Sequence, residues 1–201
     1  MSSPPPRPAP NPFATRYTQP GSIVPLDADG QPVDLPLLLS RLRANDCCGA
    51  IVGPHGSGKT NLLVHLAAAL ATHEGSLGPL RIRSHRDAVG ILRSILAAAA
   101  GTVVCIDSWE QMGLATRLSV QAAAAWQRCG LLVTSHAATA LPTLMECRTS
   151  PAMLAAIVAA LPDTGGSITQ ADIADACDRH AGNLRDALAD LYDRFESRRS
   201  S

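Results

Sequence analysis

Short apolar runs and longer amphipathic stretches alternate along the first three quarters of the chain. Runs of four or five residues that are apolar, or that alternate apolar and polar residues, predict strands; they lie at residues 48–52, 80–84, 102–106 and 131–134, with a further candidate at 143–147. Amphipathic stretches predict helices at residues 34–43, 61–70, 87–100 and 118–129. This alternation is typical of an α/β fold, a mostly parallel sheet of about five strands between two layers of helices.

The two ends of the chain differ from this middle part. Residues 151–201 contain helical stretches at 152–161, 170–180 and 183–194, a loop at 162–167 and no strand pattern, which predicts a small all-helical tail. Residues 1–20 are rich in proline, which predicts an extended or flexible arm. Phe13 and Tyr17 either anchor this arm or line a nucleobase pocket. The predicted organisation is an arm at 1–20, a core at 21–150 and a helical tail at 151–201.

The segment Gly53–Thr60, which reads Gly-Pro-His-Gly-Ser-Gly-Lys-Thr, joins the first predicted strand to a predicted helix. It fits the Walker A pattern G-x-x-x-x-G-K-[ST] in the strand–loop–helix context that this phosphate-binding loop requires. Glycines let the backbone wrap a phosphate closely, and the free amides at the helix N-terminus face an anion. The lysine of such a loop reaches the β- and γ-phosphates. The predicted nucleotide-binding residues are Gly53, Pro54, His55, Gly56, Ser57, Gly58, Lys59, Thr60 and Asn61.

A second motif follows about forty residues later, where the apolar run 102–106 ends in Asp107. Ligands of open α/β sheets bind at the carboxyl ends of the strands, and a carboxylate there holds Mg²⁺ with the hydroxyl of Thr60. Thr60 and Asp107 are therefore the predicted metal residues. Hydrolysis also needs a group that orients or deprotonates water. Glu110 is the candidate; the alternative is that it only begins the next helix, where acidic residues are favoured.

The predicted strand at 131–134 also ends in polar side chains. If it lies next to the strand of Asp107, then Thr134, Ser135 or His136 contacts the γ-phosphate or the attacking water, and Ser135 and His136 are the better placed. His136 is predicted to be catalytic together with Lys59 and Glu110. The alternative for His136 is a structural hydrogen bond.

Composition narrows the class of protein. A chain of 201 residues with 46% apolar residues suits one domain with a small appendage, and its formal net charge of zero indicates no global field for nucleic acid or for an anionic membrane. The local basic clusters, such as the one that contains Arg81 and Arg83, are interpreted as solvated surface. The six cysteines form no C-x-x-C pair, no signal peptide is visible, and no apolar run approaches the length of a membrane span. We therefore expect a cytoplasmic protein with no membrane span.

The paired motifs, the polar-ended strand and the helical tail resemble the additional-strand P-loop NTPases, in particular AAA+ ATPases with a short helical lid. In that group another strand lies between the phosphate-loop strand and the strand of the metal-binding aspartate. Residues 181–188 resemble the second-sensor helix of an AAA+ lid, which implies that Arg185 touches the γ-phosphate; the alternative is an arginine in solvent. The resemblance implies ATP and Mg²⁺ as cofactors, and a protein partner or self-association.

Two departures from that family bear on activity. AAA+ ATPases usually carry a glutamate directly after the aspartate, whereas Ser108 stands here, and no segment is clearly an arginine finger. The expected function is an ATP-binding protein with ATPase activity, in which the state of the nucleotide moves the helical lid. The alternatives are a nucleotide-dependent switch with little hydrolysis and a P-loop kinase, since all three share the same loop.

Overall fold

The computed structural model describes residues 11–72, 75–162 and 166–199. Residues 1–10 of the predicted arm and residues 163–165 of the predicted loop lie outside the described residues. The strands are β1 (Cys48–Val52), β2 (Ser76–Arg81), β3 (Val103–Asp107), β4 (Gly130–Ser135) and β5 (Thr143–Glu146). The helices are α1 (Thr15–Thr18), α2 (Leu35–Ala44), α3 (Lys59–Ala71), α4 (His85–Ala97), α5 (Leu114–Trp126), α6 (Pro151–Ala160), α7 (Gln170–Arg179) and α8 (Leu184–Arg199), and a 3₁₀ turn spans Trp109–Gln111.

Within the described residues the strands form one five-stranded sheet in the order β2-β3-β4-β1-β5. Every pairing in this sheet is parallel. Strand β4 separates β1 from β3 and pairs with both of them, Val52 lying beside Ser135 and Ile106 beside Val133. The fold is thus the predicted α/β fold, a P-loop NTPase-like core followed by a helical C-terminal part. Its strand order places one strand between the two motif-bearing strands, as the resemblance implies.

Alternate residues of the central strands supply two apolar clusters. Ile51, Cys105 and Leu132 belong to the cluster that includes α2 and α3. Their strand neighbours, such as Ala50 and Ile106, belong to the cluster that includes α4 and α5. Because successive side chains of a strand point to opposite faces, the sheet is covered on both sides and the fold has three layers. Mostly aliphatic side chains fill both clusters, since only 3% of the residues are aromatic.

Two elements begin four residues earlier than the sequence pattern predicts. Strand β2 starts at Ser76 rather than at residue 80 and runs through Pro79. A proline is tolerated there because β2 is an edge strand, where an amide is not needed on the open side. Helix α5 starts at Leu114 rather than at residue 118. Leu114 and Leu118 are both exposed, so the apolar residues at this end do not mark the buried face from which a helix is predicted.

The three C-terminal helices surround an apolar cluster of their own. Phe13 belongs to it, with 4% of its surface exposed, and its ring lies edge-on to that of Phe195 with the centroids 6.4 Å apart. Phe13 is thus anchored to the helical tail, and it also lines the cavity that contains Lys59, so the two alternatives for this residue both stay open. Within the described part of the chain, none of the helices has both the length and the apolar character that crossing a bilayer requires.

Ion pairs join α7 to α8 on the outside of this tail. Arg198 donates hydrogen bonds of 2.7 Å to each carboxylate oxygen of Asp172, and Arg194 reaches Asp172 and Asp190 at 3.3 and 3.0 Å. The Arg198 guanidinium and the Thr169 amide hold the pKa of Asp172 well below its usual range. Together with the shared apolar cluster, these pairs link the two helices, so we treat α7 and α8 as one body.

Candidate nucleotide-binding site

The loop between β1 and α3 is bent by glycines that adopt left-handed backbone torsions. Gly56 has φ 70° and Gly58 has φ 84°, values that cost other residues steric energy. The Ser57 hydroxyl is buried and has no hydrogen-bond partner among the described residues. Helix α3 begins directly after Gly58, so its free N-terminal amides belong to the loop. This arrangement is a concave nest of backbone donors, which suits an anion.

Lys59 is the only lysine of the chain, and its ammonium lies inside this loop. The Nζ atom donates hydrogen bonds to the carbonyl oxygens of Gly53 and Pro54, at 2.7 and 2.6 Å. Only 7% of the residue is exposed. Burial lowers the pKa of Lys59 from its usual value, while nearby acidic groups oppose that shift. The positive charge of this buried ammonium is not balanced by the two neutral carbonyl groups that it contacts. The negative charge of a phosphate would balance it.

The carboxylate of Asp107 connects the two predicted motifs. Its Oδ1 atom accepts hydrogen bonds from the hydroxyls of Thr60, at 3.0 Å, and Thr134, at 2.7 Å. Its Oδ2 atom lies 3.2 Å from Nε of Arg81. Asp107 is 3% exposed, so an ionised carboxylate at this depth depends on such donors. Thr134 also accepts a hydrogen bond from the amide of Ser108, at 2.9 Å, which fixes the chain just beyond β3.

The donor set around Thr60 fits Mg²⁺ bound together with phosphates. The Thr60 hydroxyl gives its hydrogen to Asp107, which leaves its lone pairs available to a cation. Both groups offer the hard oxygen ligands that Mg²⁺ prefers. Among the described residues no group of three or more His, Cys, Asp or Glu side chains could hold a metal ion alone. A cation at this place would therefore need ligands from phosphates and water, as is usual for Mg²⁺ in phosphoryl-transfer sites.

His136 lies between the lysine and the candidate water-activating glutamate. Its Nε2 atom is 2.9 Å from Oε1 of Glu110, and its Nδ1 atom is 3.4 Å from Nζ of Lys59. Burial lowers the pKa of His136, and the charge of Lys59 lowers it further. One neutral tautomer serves both contacts, because Nε2–H donates to Glu110 while Nδ1 accepts from Lys59. The ring of His55 covers that of His136, with the centroids 3.6 Å apart.

Glu110 itself is held on the 3₁₀ turn after β3. Arg117 of α5 donates hydrogen bonds to the carbonyl oxygens of Glu110, at 3.0 Å, and Met112, at 2.8 Å. The second carboxylate oxygen of Glu110 is buried and has no hydrogen-bond partner within the described residues. An unpartnered buried carboxylate oxygen is costly, so this atom is a free acceptor inside the site. The structure thus brings Glu110 close to Lys59, through His136, although the glutamate does not directly follow Asp107.

The first turn of α8 contacts the loop. The amide of Leu184 lies 3.3 Å from the carbonyl oxygen of Gly56, and the Asn183 side chain lies where a Cβ of Gly56 would be. Arg185 is exposed, and it lines the same cavity of about 960 Å³ as Lys59 and Asp107. The structure therefore places Arg185 at the mouth of the site, and contact with a phosphate remains a prediction.

Asn61 faces away from the loop and binds the N-terminal segment. Its amide accepts a hydrogen bond from the Gly21 amide at 2.8 Å and donates one to the Ile23 carbonyl at 2.9 Å. The ring of His65 lies 3.0 Å from the same carbonyl oxygen. Residues 18–26 thereby form one wall of the cavity. The prediction that Asn61 contacts the nucleotide stays untested, and its side chain serves here to build that wall.

We expect Gly56→Ala to weaken ATP binding by about tenfold or more, because the methyl group would push Asn183 and the start of α8 away from the loop. The left-handed torsion at residue 56 adds about 1–2 kcal/mol of strain. Titration of a fluorescent ATP analogue and urea denaturation measure the two effects. Gly90→Ala is the control, because a Cβ there meets no atom within 4 Å and alanine favours the α4 helix. Equal effects of the two substitutions would contradict a role for the contact between the loop and the start of α8.

The sequence pattern does not reveal the contacts that three residues make in the site. Arg81, interpreted from the sequence as solvated surface, pairs with Asp107 because these residues are partners in the β2–β3 register. Thr134, and not the better-placed Ser135, binds Asp107. Cys147 is buried and lines the cavity beside Gly53, and burial raises the pKa of its thiol to about 11. These contacts depend on which strands are neighbours in the sheet, and the sequence alone does not show the strand order.

Comparisons with known proteins add little to this geometry. No family model matches the chain, and no curated protein matches it. Among solved structures, that of PCH-2 from C. elegans is similar, with a TM-score of 0.43 and 13% sequence identity over 83% of this chain and 68% of that one. Because this TM-score is low, we base no conclusion about function on the similarity.

Proposed function

We propose that this protein is a Mg²⁺-dependent ATPase in which the C-terminal helices α6–α8 act as a lid on the nucleotide. The observation that carries the proposal is the convergence of Lys59, Asp107 and Glu110 beyond the carboxyl ends of β1 and β3, around one cavity. His136, just beyond β4, joins Lys59 to Glu110 there. Ligands of open α/β sheets bind at this edge. A phosphate cradle, a metal-binding pair and a carboxylate that could activate water are the components that nucleotide hydrolysis requires.

The triphosphate would occupy the loop from Gly53 to Thr60. Its negative charge would replace the Gly53 and Pro54 carbonyls as the partner of Lys59, which gains a charge-assisted hydrogen bond in a buried place. Mg²⁺, when bound by Thr60 and Asp107 through oxygen ligands, would neutralise phosphate charge. Arg81, already paired with Asp107 at 3.2 Å, adds a second positive group next to that pair.

The nucleoside end would lie in the outer part of the cavity. There, apolar residues of the N-terminal segment, Ile23 and Leu26, face apolar residues of the lid, Met153, Ile157 and Leu188. Apolar walls with a few polar groups are typical of pockets that take a flat aromatic ligand such as a nucleobase. The absence from the sequence of the Asn-Lys-x-Asp motif that reads guanine either favours adenine or leaves the base unspecified.

Glu110 is the residue proposed to accept a proton from the attacking water. Its unpartnered oxygen is available for that role, while its other oxygen is fixed by the Nε2–H of His136. His136 would thus orient the carboxylate, and the stack of His55 on His136 restricts the ring. A positioned base typically contributes a factor of about 10²–10⁴ to a rate.

We expect Arg185→Ala to lower ATP affinity about tenfold and to change ADP affinity less than twofold. The reason is that an arginine–phosphate hydrogen bond contributes about 1.5–3 kcal/mol, and only ATP has the γ-phosphate that this residue is proposed to reach. Isothermal titration with both nucleotides measures the difference. Arg93→Ala, an exposed arginine on α4 outside the cavity, is the control. Equal losses of ATP and ADP affinity would contradict a γ-phosphate contact.

The direct test of the proposed function uses the unmodified chain with ATP. We expect saturable ATP binding, release of inorganic phosphate in the presence of Mg²⁺, and no release after chelation of the metal. Acylation of amines offers an independent measure of binding, because Lys59 is the only lysine and bound ATP should protect it. A chain that neither binds nor protects at millimolar ATP would refute the proposal.

The second candidate function is a nucleotide-dependent switch that hydrolyses ATP poorly. Two observations favour it: Ser108 follows Asp107 directly, and one oxygen of Glu110 is already bonded to His136. In that case the phosphate would still draw α8 toward the loop through Arg185, while turnover stays slow. The third alternative is a kinase, a class of enzyme that usually carries an arginine-rich lid over the phosphate loop. Among the described residues of the C-terminal helices, Arg185 is the one arginine that lines the cavity, so such a lid is not found there.

A further inference from the structure

Helix α5 presents to solvent an arc that carries no charged side chain. With about 100° of rotation per residue, Leu114, Leu118, Ala122 and Trp126 lie within about 120° of one another, with Ala115, Ser119 and Ala125 in or beside the same arc. All are exposed. The only polar group among them, the Ser119 hydroxyl, donates to the Ala115 carbonyl at 3.0 Å. This arc, hereafter the α5 face, is therefore uncharged and mostly apolar toward a partner, with the half-buried Gln121 about 20° beyond its Leu114 edge.

The large side chains of the α5 face are unusually open to water. Trp126 is 84% exposed, Leu114 72% and Leu118 55%, whereas Trp109, the other tryptophan, is 2% exposed. Leu96 of α4 extends the face, since it is 55% exposed and its carbonyl accepts a hydrogen bond from the Gln127 side chain at 2.5 Å. An exposed aromatic residue alone offers about 150–250 Å². The face therefore offers roughly 600 Å², the upper end for the largest patch of a typical monomer.

The spacing of residues along the α5 face is symmetric about residue 120, and the residues that an antiparallel pairing would oppose differ in size. If two copies of α5 pack antiparallel about a twofold axis near Val120, Trp126 of one copy lies over Leu114 of the other, and Leu118 lies over Ala122. Each large side chain then meets a smaller one, which is the condition for close interdigitation. A parallel pairing would instead oppose Trp126 to Trp126 and Leu118 to Leu118. No charge on the face opposes the antiparallel pairing.

We propose that the α5 face is the interface of an antiparallel twofold dimer of this chain. An isologous contact uses the same patch on both subunits, and two patches of about 600 Å² give a total of roughly 1,200 Å², the lower limit for a specific interface. The dimer is thus expected to be reversible, with a dissociation constant in the micromolar range. The proposal stands apart from ATP hydrolysis, because it rests on the exposed surface of α5 alone.

Helix α5, which carries the α5 face, also contacts the candidate site. Arg117 lies on α5 outside the apolar arc and donates to the carbonyl oxygen of Glu110. A second copy that fixes α5 would therefore fix the helix that holds the turn of Glu110. Arg117 is the link between α5 and the turn of Glu110, and through it dimerisation would act on one wall of the site from outside.

The first experiment measures the mass of the full chain by sedimentation equilibrium from about 1 to 200 µM. We expect the unmodified chain to shift from monomer to dimer, and Leu118→Glu to raise the dissociation constant at least about thirtyfold, because it places a charge in an apolar contact. Leu37→Glu, on an α2 leucine that is 46% exposed, is the control and should dimerise normally. Trp126 emission should shift to the blue over the same concentration range.

The second experiment tests the register by charge complementation. Leu118→Glu and Ala122→Lys should each be monomeric alone, and circular dichroism should show both folded, since both positions are exposed. Mixed in equal amounts, they should form a heterodimer, because the antiparallel pairing places the carboxylate introduced in one chain beside the ammonium introduced in the other. A mixture that remains monomeric overturns the antiparallel twofold.

Three other outcomes overturn the dimer. An unmodified chain that is monomeric at 200 µM would leave the α5 face to a different protein. A dimer or larger ring that survives Leu118→Glu would place self-association elsewhere on the surface. Loss of the dimer in Leu37→Glu as well would show that any added charge dissociates it. None of these results depends on whether the chain hydrolyses ATP, so failure of the dimer is separable from failure of the proposed function.

Discussion

Lys59→Ala is expected to raise the dissociation constant for ATP by at least about a hundredfold and to abolish phosphate release. The ammonium is buried at the centre of the loop, and burial lowers its pKa, so its charge is held there at an electrostatic cost. A γ-phosphate offsets that cost with charge-assisted hydrogen bonds, each of which contributes about 1.5–3 kcal/mol. No second lysine exists to substitute for it. Titration with a fluorescent ATP analogue measures the loss.

The substitution also leaves the carbonyl oxygens of Gly53 and Pro54 without their donor. Urea denaturation is therefore measured in parallel, to separate loss of the loop from loss of binding. Lys59→Arg is the informative second variant, because it keeps the charge but not the compact ammonium that donates to both carbonyls. We expect it to bind ATP more weakly than the unmodified chain and to hydrolyse it slowly. Equal ATP affinity in the unmodified chain and in a folded Lys59→Ala variant would show that the loop around Lys59 is not the ATP-binding site.

Glu110→Gln should slow single-turnover cleavage of bound ATP by a factor of about 10²–10⁴, with ATP affinity changed less than twofold. The amide oxygen of glutamine can still accept the hydrogen bond from Nε2 of His136, so the 2.9 Å contact and the ring stack with His55 should persist. Only the ability to take a proton from water is removed. Rapid-quench measurement with enzyme in excess over ATP isolates the chemical step.

Glu146→Gln is the matched control, because that glutamate is 58% exposed and paired with Arg148 at the end of β5, outside the cavity. It should leave the rate unchanged. If the unmodified chain and Glu110→Gln cleave ATP at the same slow rate, the glutamate is not a base and the switch is the better description. Single-turnover data thus decide between the two candidate functions without any knowledge of a partner.

The sequence predicts the parts of this molecule that depend on local pattern. The loop from Gly53 to Thr60 and the strand that ends at Asp107 are predictable because their chemistry needs particular residues at particular spacings. The arrangement of Arg81 and Thr134 around Asp107 is not, since it depends on which strands are neighbours and in which register. Arginine is common on protein surfaces and threonine is common at strand ends. No local signal therefore distinguishes Arg81 and Thr134, which contact the site, from arginines and threonines that do not.

The same limit applies to helices and loops. Asn61 follows the loop motif directly and is grouped with it by sequence, but the helical rotation after Lys59 turns its side chain toward Gly21 and Ile23. Leu114 and Leu118 obscure the start of α5 because they face solvent. An apolar residue that serves a partner looks, in one sequence, like an apolar residue that serves the core.

The N-terminal segment gives the lid a second attachment to the rest of the molecule. Asn11 donates to the Tyr192 carbonyl at 3.2 Å and to Glu196 at 2.8 Å, while residues 21–23 are bound to α3. A tilt of α8 on loss of the γ-phosphate would therefore be conveyed to Asn11 and pull against the anchor at Asn61. Asn11 is therefore the point at which a movement of α8 would reach the N-terminal segment, and a partner bound to that segment would sense which nucleotide is bound.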